Sequence, residues 1–154
     1  MLITVQEFKQ SGLPVGGDIK DKEIEIAIIT IEEFYLKPRI TDQHYTDLLS
    51  NPTTGDNPVI LNGGNLNGVH LAGLKNALYH IIYSYLLMDG YRATRFASVE
   101  KTSEYSKPVS REDLEDNARI HWNIGIAFVQ EVQRYYNIDL YEGIQNTLFE
   151  SIVL

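Results

Sequence analysis

Cysteine is absent from all 154 residues, which excludes disulfides, thiolate nucleophiles and Cys-ligated metal sites and fits a reducing compartment. A surplus of positive charge is absent too. Thirteen Lys and Arg stand against 21 Asp and Glu, a formal charge of −8 that repels nucleic acid over most of the surface and argues against a dedicated DNA-binding domain. Long uninterrupted apolar runs are also lacking. The most apolar stretch, Leu71 to Met88, carries Lys75, Asn76, His80 and Ser84, too many polar groups for a bilayer span, and reads as a buried helix. The opening residues, Met1 to Glu7, show no basic segment followed by an apolar one, so no secretory signal and a cytosolic protein are expected. No internal repeat, low-complexity block or interdomain linker stands out.

What is present is ordinary for a folded protein. Hydrophobic residues make up 44% and charged residues 22%, far from the composition of disordered chains. A chain of this length buries about 68–70% of its unfolded surface, enough for one real core, so residues 1–154 are expected to form a single helical domain. The charge is uneven. Between Tyr91 and Arg111, Arg92, Arg95, Lys101, Lys107 and Arg111 face only Glu100 and Glu104, a net +3 that leaves −11 on the remainder. That asymmetry implies two differently charged faces.

Thr4 and Glu7 have capping-box spacing, with Ile3 and Phe8 placed as a hydrophobic staple, so a short helix is expected over about 5–10. Gly12 and Pro14 stop it. A second helix follows, capped by Asp18 or Asp21, with Ile24, Ile28, Ile31 and Tyr35 drawing one apolar stripe until Pro38 ends it. Ile26 and Ile29 lie off that stripe and imply a second buried face or contact with another subunit. Thr41 caps a third helix ending before Pro52, with Tyr45, Leu48 and Leu49 as its apolar positions. Asn51 to Gly68, rich in Asn, Gly and Pro, reads as a long loop holding one short strand at Val59-Ile60-Leu61.

From Leu71 to Asp89 the pattern is apolar nearly all round, which marks the central helix of the core, closed by Gly90. Arg92 to Ser106 has no helical period and reads as an extended arm or hairpin. Ser110 and Asp113 open a long amphipathic helix whose seam is Leu114, Ala118, His121, Gly125, Phe128, Val132 and Tyr135, flanked by Trp122, Val129 and Tyr136. The tail places Ile144, Leu148 and Ile152 four apart, but its short apolar end suits a strand equally well. The expected core is Ile28, Ile31, Leu74, Leu78, Ile81, Tyr85, Phe128 and Val132.

No motif carries chemistry. His44, His70, His80 and His121 fall on separate elements without paired spacing, so no metal site is expected, and His121 reads as a core histidine with a backbone partner. Gly63-Gly64-Asn65-Leu66-Asn67-Gly68 before Gly73-Leu74-Lys75 invites a phosphate-loop reading, but Leu74 separates Gly73 from Lys75 and Asn76 replaces the hydroxyl, so a flexible loop is the better account. Glu112, Asp113, Glu115 and Asp116 sit in a helix first turn, where negative charge favours the dipole. Glu32-Glu33 forms no identifiable acid-base pair, and no serine lies in a nucleophile elbow. No catalytic residue and no cofactor are therefore assigned, and an enzyme is not expected.

The order of elements, with the segments GDIKDKEIEIAIITIEEFYLKPRI and GLKNALYHIIYSYLLMDGYRATRFASVEKTSEYS followed by a long final helix, resembles head-tail connector (adaptor) proteins of tailed phages and of prophages of Bacteroides relatives. The resemblance covers nearly the whole chain. It implies a mainly α fold, a helical bundle with a long loop and an extended, possibly β-hairpin, arm. It further implies a homo-oligomeric ring between portal and tail proteins, lining a passage for DNA without binding it specifically, first in the host bacterial cytoplasm and then in the virion neck. Carried onto this chain, the packing helices are Asp21–Leu36, Leu71–Asp89 and Arg111–Tyr136. The subunit-interface arm spans about 91–108, with Arg92, Arg95, Phe96, Val99 and Lys101 as its contact residues. The acidic surplus suits a channel wall along which DNA slides. The same residues also fit a cytosolic helical interaction module unrelated to virions, with no membrane partner in either case.

Overall fold

Two orphan amides decide where the chain first turns helical. In the computed structural model, which describes residues 1–15, 19–88 and 111–138, the Glu7 amide donates to Thr4 Oγ1 at 3.2 Å and the Thr4 amide donates to the Glu7 carboxylate at 2.8 Å. This capping box starts α1 (Val5–Lys9), with Ile3 and Phe8 fully buried around it. Helix α2 (Asp21–Ile31) begins after Lys20, which caps it without a side-chain bond. Asp21 is therefore not the cap, and the other candidate, Asp18, lies outside the described residues. Asp21 pairs instead with Lys9 Nζ at 2.5 Å, tying α2 to α1.

Pro38 does not end the second helix. The helical path widens into a π turn at Glu32–Leu36, where the Lys37 amide donates five residues back to the Glu32 carbonyl, and continues as α3 (Lys37–Ile40). Pro38 sits in the first turn of α3, where a missing N–H breaks no ladder bond, so the π turn absorbs what a regular α-helix would not. The stripe Ile24, Ile28, Ile31 and Tyr35 is buried throughout. The break comes at Thr41, with φ 68°, and Thr41 opens α4 (Asp42–Ser50) by position only, since its side chain makes no capping bond. Tyr45 and Leu48 of α4 are buried, whereas Leu49 is exposed.

The expected loop over 51–68 is more structured than its composition implied. Val59-Ile60-Leu61 belongs to a helix, α5 (Asn57–Asn62), with Pro58 in its first turn and Ile60 and Leu61 turned into the core. A three-residue apolar run fits one helical turn as well as a strand, and periodicity alone does not separate the two. The glycines then build a hairpin of β1 (Gly64–Leu66) and β2 (Val69–Leu71), antiparallel with Gly64 opposite Leu71. Its two-residue turn, Asn67 and Gly68, has φ 52° and 82°, the Asn-Gly signature of a hairpin. At its base Gly63 and Gly73 meet back to back: a Cβ on Gly73 would lie 2.4 Å from the Gly63 nitrogen.

Helix α6 (Leu74–Met88) starts three residues later than expected because Leu71 is spent in β2. Together with α7 (Arg111–Tyr135) it forms the largest contact between elements. The buried seam of α7 is Leu114, Ala118, Trp122, Gly125, Val129 and Val132, so Trp122 and Val129 face inward while His121, Phe128 and Tyr135 are half-buried. The reason is the period. A heptad pattern steps 3.5 residues per turn, a straight helix 3.6, and the stripe drifts about 20° per heptad. In the expected core, Tyr85 and Phe128 pack at the margin and the other six residues are fully buried.

The fold class is mainly α, and its buried side chains form one hydrophobic cluster. The arm at about 91–108, the Gly90 cap and the tail beyond 138 lie outside the described residues. Among the described residues no helix is long and apolar enough to cross a membrane.

Candidate interaction surfaces

Helix α2 buries one face and leaves two isoleucines exposed among the charged residues of the other. Ile26 and Ile29 are 46% and 44% exposed, and Phe34, in the π turn that follows, is 71% exposed. Ile26 and Ile29 are thus not a second buried face of this chain. These exposed apolar side chains, a ridge running from α2 into the π turn, are of the kind that partners cover. Lys22, Glu25 and Glu33 border the ridge, and Glu33 is held by Lys37 Nζ at 3.3 Å.

Directly behind the ridge the π turn points Glu32 inward, only 1% exposed. Its Oε1 accepts the Leu2 amide at 2.8 Å and the Ile3 amide at 3.4 Å, and its Oε2 accepts the Tyr45 hydroxyl at 2.6 Å. Burial, and then the bond to Glu32, push the Tyr45 hydroxyl well above the usual tyrosine range. One carboxylate therefore joins the N-terminal segment, the π turn and α4. Neighbouring glutamates that looked alike in the sequence have opposite roles, a buried clasp and a solvated ion pair.

A recess of about 400 Å³ opens where α4, α5 and the end of α7 meet. Its walls include His44, Asp47, Asp56, Asn57, Tyr135 and Tyr136. His44 stacks on Tyr136 with ring centroids 3.7 Å apart and planes 10° from parallel. Asp47 accepts from Asn57 at 2.9 Å and Asn51 at 2.8 Å, which hold its carboxyl below the usual range. Tyr135 donates to Asp56 at 2.5 Å, and that bond raises its hydroxyl pKa, while burial pushes Tyr136 up to about 12. The lining offers carboxylates and ring faces and, among the described residues, contains no lysine or arginine.

The fourth feature lies on the α6–α7 seam. His80 Nδ1 and His121 Nδ1 are 2.7 Å apart, with their rings stacked at 5.0 Å. The partner of His121 is this ring, not a backbone group, because His121 lies on the rim of the seam facing α6 instead of inside it. Burial lowers both pKa values, and repulsion between the rings lowers that of His80 further. His70 is exposed on β2. Among the described residues no group of three or more His, Cys, Asp or Glu side chains is placed to hold a metal ion.

The sequence-derived contact residues Arg92, Arg95, Phe96, Val99 and Lys101 all lie outside the described residues. The family match runs from Ile26, on the exposed ridge, through residue 146 and takes in the recess and the seam. The chain belongs to DUF6712, a family of unknown function. No curated protein and no solved structure matches it. Sequence reasoning set Ile26 and Ile29 off the buried stripe but not Phe34, and it missed the recess, whose residues come from three elements; the tyrosine pair at the end of the last helix was its one local sign.

Proposed function

We propose that this DUF6712 protein is a structural subunit of a tailed-phage head-tail connector, forming a ring between portal and tail. The observation that carries this reading is the exposure of Ile26, Ile29 and Phe34 on α2 and the π turn after it, elements that otherwise supply Ile24, Ile28, Ile31 and Tyr35 to the core. Taking the exposed part of these side chains out of water contributes about 25 cal/mol per Å², a fraction of the full-burial value for each, and contact with another chain recovers it. The resemblance of the two quoted segments to connector proteins supplies the kind of partner: copies of the same chain in a closed ring, in contact with portal and neck proteins. Charge supports it. The +3 stretch between Tyr91 and Arg111 complements an otherwise acidic chain, and the recess at Asp47 and Asp56 is one acidic surface available to a neighbour. An acidic body also suits a passage that DNA traverses without sticking.

Sedimentation velocity and negative-stain microscopy of the purified protein, alone and with the portal protein of the same genome, test this. Ring-shaped particles, or entry into a portal complex, are expected. Replacing Ile26, Ile29 and Phe34 by Asp should abolish them while leaving the helical content intact. Small closed complexes without rings would favour the interaction module unrelated to virions, and a monomer under every condition would defeat both readings. Portal, terminase and capsid genes beside this one are the matching genomic expectation.

A further inference from the structure

Two polar contacts of 2.7 Å join α6 and α7: Ser84 Oγ donates to the Ala118 carbonyl, and the other pairs two groups that can each take up a proton near neutral pH. The Nδ1 atoms of His80 and His121 are 2.7 Å apart, so one ring donates its Nδ1–H and the other must keep its Nδ1 lone pair free. Among the described residues the surroundings supply no compensating charge. The Tyr83 ring meets His121 edge-on at 4.7 Å, and Phe128 meets His80 at 6.0 Å. On α6 the only charged residue is Lys75, which is bonded to Glu7 of α1 at 2.6 Å. On α7 the closest charged residues in sequence, Asp116 and Arg119, are bonded to each other at 2.7 Å. Helix α2 turns Ile24, Ile28 and Ile31 into the core on the other side of α6, and Tyr79 feels only Glu7.

We propose that His80 and His121 form a proton-operated latch across the α6–α7 seam, closed when the pair is neutral and opened by acid. A first added proton goes to the outer Nε2 of the donor ring and keeps the Nδ1–H···Nδ1 bond. A second must occupy the acceptor Nδ1, which removes the bond and leaves two cations in contact. The sign is fixed by the lowered pKa values: below pH 6.5 the unfolded chain binds protons that the folded pair refuses, so stability falls as the pH drops through this window. The carboxylates held low by their partners, Glu7 and Asp47, titrate below about pH 4.5 and stay out of it.

Long-range proton–nitrogen NMR of the full chain at pH 7.5 should show one of the two rings as the Nδ1–H tautomer and the other as Nε2–H, both titrating below pH 6.5. Two Nε2–H rings, or either ring titrating at or above 6.5, would overturn the latch. Between pH 7.5 and 5.5 the unfolding midpoint of the wild type should fall by about 3–5 °C more than that of the His80→Asn, His121→Asn double variant. Equal falls would also overturn it. Should the double variant fail to fold, the wild-type tautomers and titration decide the question alone.

Discussion

Glu32 shows how much one side chain's setting decides. It accepts from Leu2, Ile3 and Tyr45 at once, and each of those donors is turned away from water. Hydrogen bonds to a charged acceptor contribute about 1.5–3 kcal/mol, and a buried donor left without one costs about 1–3 kcal/mol. Glu32→Ala should therefore destabilise the chain by about 2–4 kcal/mol and speed amide exchange at Leu2 and Ile3 well beyond that at Leu78, deep in α6. An unchanged exchange rate at Leu2 would show that the clasp does not hold the N-terminal segment. Nothing in the Glu-Glu dipeptide announces which glutamate turns inward, because a regular α-helix and a π turn differ in phase from Glu32 onward.

Helix α7 crosses α6 closely because position 125 is glycine. A Cβ there would lie 2.4 Å from Ile81 Cγ1 and 2.9 Å from the Ala77 carbonyl oxygen, and the latter moves only if α6 moves. Alanine in place of a mid-helix glycine gains about 1 kcal/mol of helix propensity, while overpacking a tight core costs about 1–3 kcal/mol. With a backbone atom in the way the upper end applies. Gly125→Ala should lower the unfolding midpoint, and a raised midpoint would place the helices further apart than described. The long helices were legible in the sequence because their stripes repeat over many turns: Ile24, Ile28 and Ile31 on α2 with Tyr35 in the π turn that continues it, and Leu114, Ala118, Gly125 and Val132 on α7 all fell where expected. The short elements were not. Val59-Ile60-Leu61 is too short to show a period, Pro38 stops a helix only where its missing donor is needed, and Asn67-Gly68 signals a hairpin whose strands are just three residues long.

At the scale of the molecule, the proposed assembly has two surfaces to draw on, the exposed apolar residues of α2 and the π turn and the basic stretch between Tyr91 and Arg111, and they respond to different variables. Apolar contact through Ile26, Ile29 and Phe34 is insensitive to salt, whereas attraction between a +3 segment and an acidic body is screened over about 8–10 Å at moderate ionic strength. If both join neighbouring copies, assembly weakens with salt yet persists through the ridge. Replacing Arg92, Arg95 and Lys101 by Glu changes the formal charge by −6 and turns the attraction into repulsion. That variant should assemble more weakly at low salt, recover partly as salt rises, and keep the helical content and unfolding midpoint of the wild type, since no expected core position is touched. Sedimentation velocity across a salt series, with circular dichroism on the same samples, checks all three outcomes. Normal assembly at low salt would remove the basic stretch from the interface and leave the ridge as the contact, and a loss of helical content would make the stretch part of the folded core.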